Sequence, residues 1–220
     1  MDLLGKLQAE GWTLVPATLA PEGLAAANAC AALPKEYLSE RGKPFLRKLF
    51  KEGCENIPSE LYALGENKNI LATVEAYLGE PAHVVSIRLF HSIHTEGIKK
   101  SQLYHCDGGP EKMVKLFLHC SDVTLNDGPF SFLPITASKK VWKRTNYDDT
   151  RRLTDDEVRA AIGSIQPIQI LGAKGTMFLV DSAQCFHYGA RVNSGGERLV
   201  AIIQYAPTKP EGSVEAQPSY

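Results

Sequence analysis

The chain has 220 residues, 44% of them hydrophobic, with 24 lysines and arginines against 25 aspartates and glutamates. That length can bury a sizeable core in one domain, and the charge balance offers no general attraction to nucleic acid or to an anionic membrane. Five cysteines without a Cys-x-x-Cys pair fit a reducing compartment better than a disulfide framework, and no signal-peptide core or apolar run near the ~18 residues of a membrane span is present, so a cytoplasmic location is expected.

Residues 3–80 carry mainly helical signal. Pro21 and Glu22 suit a first helical turn, and the alanine- and leucine-rich run that follows reaches Leu33 before Pro34 stops it. Asn67 or Asn69 can cap a second helix whose apolar positions 70, 71, 74, 77 and 78 share a face, and Gly79 and Pro81 end it. Between these helices, 35–59 is charged and broken by Gly42, Pro44, Gly53 and Pro58, which reads as a mobile covering segment.

From His83 the apolar period changes to two. Val85, Ile87 and Leu89 alternate with Ser86, Arg88 and Phe90; Met113 to Cys120 repeats the pattern, and further strands are expected at 130–133, 167–171, 176–180 and 198–205. Many short strands separated by Gly/Pro turns predict a mainly β chain with flanking helices, its strands forming a sandwich or jelly-roll barrel over 83–205. The polar stretch 139–162, with Thr154 and Glu157 resembling a capped helix start, is a second candidate lid. The proline-containing tail 206–220 is expected to be flexible.

The chemistry concentrates at Gln102-Leu103-Tyr104-His105-Cys106-Asp107. In an extended segment His105 and Asp107 project to one side while Tyr104 and Cys106 point away. Two histidines and one carboxylate on one face hold iron(II) and leave positions open for other ligands. Of the distant histidines His83, His91, His94, His119 and His187, only His187 follows a buried strand in an extended piece, with Gly189 allowing close backbone approach. His91, His94 and His119 read as surface or core-edge residues. Arg198, on a strand face with Val200, Ile202 and Gln204, is a permanent charge on an apolar surface and needs an anion, for which its planar fork suits a carboxylate. The competing reading of Arg198 is an ordinary strand-face ion pair. The basic residues Lys139, Lys140, Lys143, Arg144, Arg151 and Arg152 could greet an anionic substrate such as a thioester of coenzyme A, but Asp148 and Asp149 interrupt them and a solvated loop is the better reading.

His105-x-Asp107, His187 and Arg198 together resemble the iron(II)/2-oxoglutarate-dependent oxygenases, specifically the phytanoyl-CoA dioxygenase family. The resemblance spans most of the chain: residues 10–16 followed by a helix resemble the family's opening strand and first helix, and 126–134 its Gly-Pro strand, although Ile135-Thr136-Ala137-Ser138 replaces the usual Gly-Ser-His continuation. It implies a double-stranded β-helix of the cupin-like type in a single domain, 1–205, and a dioxygenase using iron(II), 2-oxoglutarate and O2 to hydroxylate a small molecule while releasing succinate. His105, Asp107 and His187 would bind the metal, Arg198 the distal carboxylate of 2-oxoglutarate, and Gln102 would touch the co-substrate. Two alternatives stand beside it: a cupin-like metal-binding barrel without oxygenase activity, and an oxygenase-derived scaffold that no longer turns over.

Overall fold

The computed structural model describes residues 2–34, 38–39, 43–50, 57–108, 112–149 and 151–207. In chain order the elements are α1 (Leu3–Glu10), β1 (Trp12–Val15), α2 (Gly23–Ala31), β2 (Leu38–Ser39), β3 (Leu46–Phe50), α3 (Ser59–Gly65), α4 (Lys68–Leu78), β4 (Ala82–Ile93), β5 (Val114–His119), β6 (Ser131–Phe132), α5 (Ile135–Thr145), α6 (Asp155–Ile162), β7 (Ile168–Gln169), β8 (Met177–Asp181), β9 (His187–Tyr188) and β10 (Glu197–Pro207). The strands form a seven-stranded sheet in the order β1-β8-β5-β10-β4-β3-β2 and a three-stranded sheet in the order β7-β6-β9. All these pairings are antiparallel.

Alternation along each strand sorts the side chains into layers. On β5, Val114, Leu116 and Leu118 join a core with Leu7 of α1, Ala26 of α2, Leu61 of α3 and Val74 of α4, so the helices cover the outer face of the large sheet. The opposite face carries Phe117 of β5, Phe178 of β8, Phe90 of β4 and Val200 of β10, which pack against Phe130, Phe132 and Ile170 from the small sheet and its flanks. Trp12 of β1 meets Phe132 edge-on at 5.3 Å between ring centroids. Two sheets face to face over an aromatic core make a jelly-roll, mainly β with flanking helices as expected, and among the described residues the sheets do not close into a continuous barrel.

Several elements form as their residues dictate. The Asn67 side chain accepts from Asn69 N and Ile70 N to cap α4, Ile70, Val74 and Tyr77 are its buried face, and Gly79 ends it at φ 85°, a conformation that favours glycine. Thr154 and Glu157 form a reciprocal capping box at the start of α6.

Other expectations are corrected. The covering segment 35–59 is partly sheet, because β3 pairs with β4 from Leu46↔Ser92 onward; its residues 35–37, 40–42 and 51–56 lie outside the described part. The 139–162 lid is instead a packed layer, with Val141 of α5 and Val158 and Ala161 of α6 in one core with Tyr104, Phe186 and Tyr188. Their polarity is that of amphipathic helices with one wet face. The tail begins later than expected, since Ala206 and Pro207 still pair with β4, and 208–220 lie outside the described residues.

Candidate metal centre and carboxylate seat

His105 and His187 are directly opposed in an antiparallel bridge, His105 N donating to His187 O at 3.0 Å and His187 N to His105 O at 2.9 Å. Residues facing each other across such a pair share a side, and the two imidazoles stand 4.4 Å apart between ring centroids. Tyr104 and Cys106 point the other way into the helical layer, as the alternation predicts. Asp107 N donates to Ser182 O at 2.9 Å, which fixes the chain where the carboxylate leaves it.

One potential ligand atom from each of His105, Asp107 and His187 lies within 4.8 Å of the others. Both histidines have Nδ1 on a carbonyl two residues back, Leu103 O for His105 and Cys185 O for His187, each at 2.9 Å. A neutral ring donating from Nδ1 presents its Nε2 lone pair, the form a metal requires. Burial and the neighbouring His187 pull the His105 pKa down to about 3, and burial lowers that of His187. Burial would raise the Asp107 pKa, but Lys115 and the two imidazoles outweigh it and hold the carboxyl well below its usual range. A neutral pair of histidines beside an ionised aspartate is a donor set that fits a divalent cation.

The sequence alone does not single out Lys115. Its Nζ lies 2.6 Å from Asp107 Oδ2, at the end of a side chain only 12% exposed. The alternation of β5 places Lys115, Phe117 and His119 on the inward face, which is the signal that could have found it.

Arg198 is 5% exposed on the inward face of β10, and it makes no ion pair among the described residues. Its Nε has no hydrogen-bond partner. Burial lowers its pKa to about 10, and the nearest acid felt there is Asp127, whose carboxylate is engaged with Thr124. Ser92, paired directly across from Arg198 on β4, is wholly buried with an unpartnered Oγ. His119, diagonal to Arg198 on β5, is 1% exposed with both ring nitrogens unpartnered, although the Gly172 carbonyl lies close enough to favour its protonated form. Burial and then Arg198 bring the His119 pKa down to about 4. Three neighbouring strands thus aim unsatisfied donors into one buried space, which calls for an anion.

Gly189 is not required by a close backbone approach. A Cβ there would meet only Arg198 Nη2 at 3.5 Å, so the bare Cα leaves the guanidinium face open. Gln102 is buried, its amide nitrogen donating to Ala190 O at 2.8 Å and its oxygen accepting from Lys99 N at 3.2 Å. It braces the turn before His105 and holds Ala190 at φ 58°. The remaining histidines sit apart from the metal set: His91 contacts Glu197 at 2.7 Å, and His94 contacts the Val192 carbonyl.

No family model and no curated relative matches the chain. Solved structures do. SnoK, a non-heme alpha-ketoglutarate-dependent carbocyclase from nogalamycin biosynthesis, superposes with a TM-score of 0.66 at 13% identity over 94% of this chain and 83% of its own. The epimerase SnoN, solved with Fe3+, alpha-ketoglutarate and nogalamycin RO, gives 0.64 at 15% identity over 99% and 91%. HygX from Streptomyces hygroscopicus, solved with nickel, 2-oxoglutarate and hygromycin B, gives 0.62 at 15% over 94% and 87%. The chain has the fold of these proteins. No described helix is long and apolar enough to cross a membrane.

Proposed function

We propose that this protein is an iron(II)/2-oxoglutarate-dependent dioxygenase that oxidises a small molecule, with the residue spacing of the phytanoyl-CoA dioxygenase family. The observation that carries this reading is the pairing of two features on one inward face: the His105, Asp107 and His187 donor set, and the buried Arg198, which has no ion-pair partner among the described residues. A metal-binding barrel with no acid to bind has no use for the second feature, because an unpaired buried guanidinium is costly. The fold shared with SnoK, SnoN and HygX supports it.

In this reading His105, Asp107 and His187 hold iron(II), which supplies oxygen activation coupled to conversion of 2-oxoglutarate and O2 into succinate, CO2 and an oxidised substrate. The protein's part is positional. Leu103 O and Cys185 O orient the two imidazoles, and Lys115 steadies Asp107. Arg198, with Ser92 and His119 beside it, receives the distal carboxylate of 2-oxoglutarate. Gln102 has a second N–H and a second lone pair for the co-substrate while its other bonds brace the wall. Phe117, Phe130 and Phe178 keep water from the core beneath, with Phe130 5.2 Å from the His187 ring. An aspartate at 107 fills a coordination position and argues for hydroxylation or a related oxidation.

Anaerobic addition of iron(II) and 2-oxoglutarate is expected to give the weak visible charge-transfer band of a chelated 2-oxo acid, and His105→Ala or His187→Ala is expected to abolish it. Wild-type protein without the band, or folded variants that keep it, would refute the assignment.

A further inference from the structure

The second sheet continues past the metal ligands. Phe132 pairs with His187, and isolated bridges join His187 to His105 and Tyr104 to Leu153, so Arg152 lies one residue from the bridge that flanks His105. Tyr104 N donates to Leu153 O at 3.0 Å and Leu153 N to Tyr104 O at 2.8 Å, an isolated bridge that brings Arg152, the residue before Leu153, beside His105. Leu153 and Tyr104 face the helical layer together, and alternation from Leu153 places Arg152 on the side of His105. Its charge is felt at both ligand imidazoles.

Each neighbouring cation has a partner or a purpose. Arg151 binds Glu157 at 2.7 Å and Thr145 O at 3.0 Å, Lys115 binds Asp107, and Arg198 faces the seat for the distal carboxylate. Arg152 is exposed and makes no hydrogen bond or ion pair among the described residues. A guanidinium one cross-strand step from a histidine that holds a divalent cation is repelled by the loaded centre, and the only ligand-set acid already faces Lys115. Among the described residues no acid pairs with Arg152, which leaves its guanidinium open to an anion from solvent.

We propose that Arg152 is the substrate-binding cation of this site, and that the substrate carries a carboxylate or phosphate close to the carbon that is oxidised. This rests on the 2-oxoglutarate reading and adds the chemical class of the other substrate. A planar fork beside the metal grips either oxyanion through paired N–H donors and sets which carbon faces the centre.

The test uses full-length protein loaded with Mn(II) and saturating 2-oxoglutarate, so that the Arg198 seat is filled. Benzoate, phenyl phosphate, benzamide and benzylamine are added separately, and paramagnetic broadening of their proton resonances reports approach to the metal. The anions should broaden and the neutral and cationic probes should not; the stronger anion distinguishes carboxylate from phosphate. Arg152→Gln should reduce the effect at least about fivefold, as loss of a charge-assisted contact implies, and Arg152→Glu should transfer the preference to benzylamine. Both variants should keep the wild-type unfolding midpoint and 2-oxoglutarate affinity, since the residue is exposed and off the Arg198 seat. Equal broadening by all four probes, or an unaltered response in folded Arg152→Gln, overturns the proposal, and so does a matching fall in 2-oxoglutarate affinity. If wild-type protein with Mn(II) shows no 2-oxoglutarate binding by calorimetry, it is the co-substrate reading that fails.

Discussion

At the scale of single residues the inward face pairs one cation and leaves another unpaired among the described residues, since Lys115 faces Asp107 while Arg198 has no ion-pair partner, and geometry matters as much as sign. Arg198→Lys preserves the charge but replaces a planar fork with a point donor on a flexible stem. The expected result is a loss of 2-oxoglutarate affinity of about 1.5–3 kcal/mol by calorimetry with metal affinity retained, the range for a hydrogen bond to a charged group. Equal affinity in variant and wild type would place the carboxylate elsewhere. That His105 and Asp107 converge was legible because they are two apart in an extended run, and strand period alone puts them on one side. The places of His119 and Arg152 were not, because they depend on which strands meet: His119 lies diagonal to Arg198, and Arg152, read in the sequence only as one of a basic group, comes beside His105 through Tyr104↔Leu153. No local pattern encodes which strands become neighbours.

At the scale of elements, Arg191 fastens the helical layer to the chain segments that carry His105 and His187. Its Nη1 and Nη2 bind Asp155 in the first turn of α6 at 2.9 and 2.7 Å, its Nε donates to Gln102 O at 2.7 Å, and its guanidinium lies 3.5 Å from the Tyr188 ring centroid. One side chain therefore joins the loop after β9, the turn before His105 and the start of α6. Arg191→Met keeps an apolar stem on Tyr188 but removes the donors, so it should destabilise by about 2 kcal/mol in urea and speed amide exchange in α6 more than in α4. An unchanged midpoint with unchanged exchange in α6 would show that the helix is held by packing alone. The strands and α4 were readable from period and caps, as Asn67 and Gly79 illustrate. The roles of α5 and α6 were not: one turn of capping signal at Thr154 indicates a helix start, but only the apolar stripe Val158, Ala161 and Ile162, once seated on Tyr104 and Phe186, distinguishes a packed layer from a lid.

At the scale of the whole molecule, burying three imidazoles on one face links folding to pH. In the metal-free protein the pKa of His105 is about 3 and that of His119 about 4, and that of His187 is also lowered, all from an ordinary value of 6.5. Below pH 6.5 the unfolded chain therefore binds more protons than the fold, stability rises with pH there, and it is lost as pH falls toward 4. The depressed Asp107 continues the loss at lower pH, whereas buried Asp181, pushed up by desolvation despite donors from Tyr77, Met113, Ala183 and Gln184, acts in the opposite sense within the carboxylate range. His119 isolates one part of this, because it is buried and lies outside the candidate group of His105, Asp107 and His187. Phenylalanine in its place keeps a ring near Phe178, whose centroid is 5.8 Å from that of His119, and removes the titration. In chelator-treated protein, urea unfolding at pH 8 and pH 5 should show wild type losing about 2 kcal/mol more than His119→Phe over that interval, the loss expected when a group with a pKa near 6.5 unfolded and about 4 folded must stay neutral. Parallel losses in the two proteins would mean that His119 takes up its proton inside the fold without penalty, and that the space beside Arg198 already holds a compensating group.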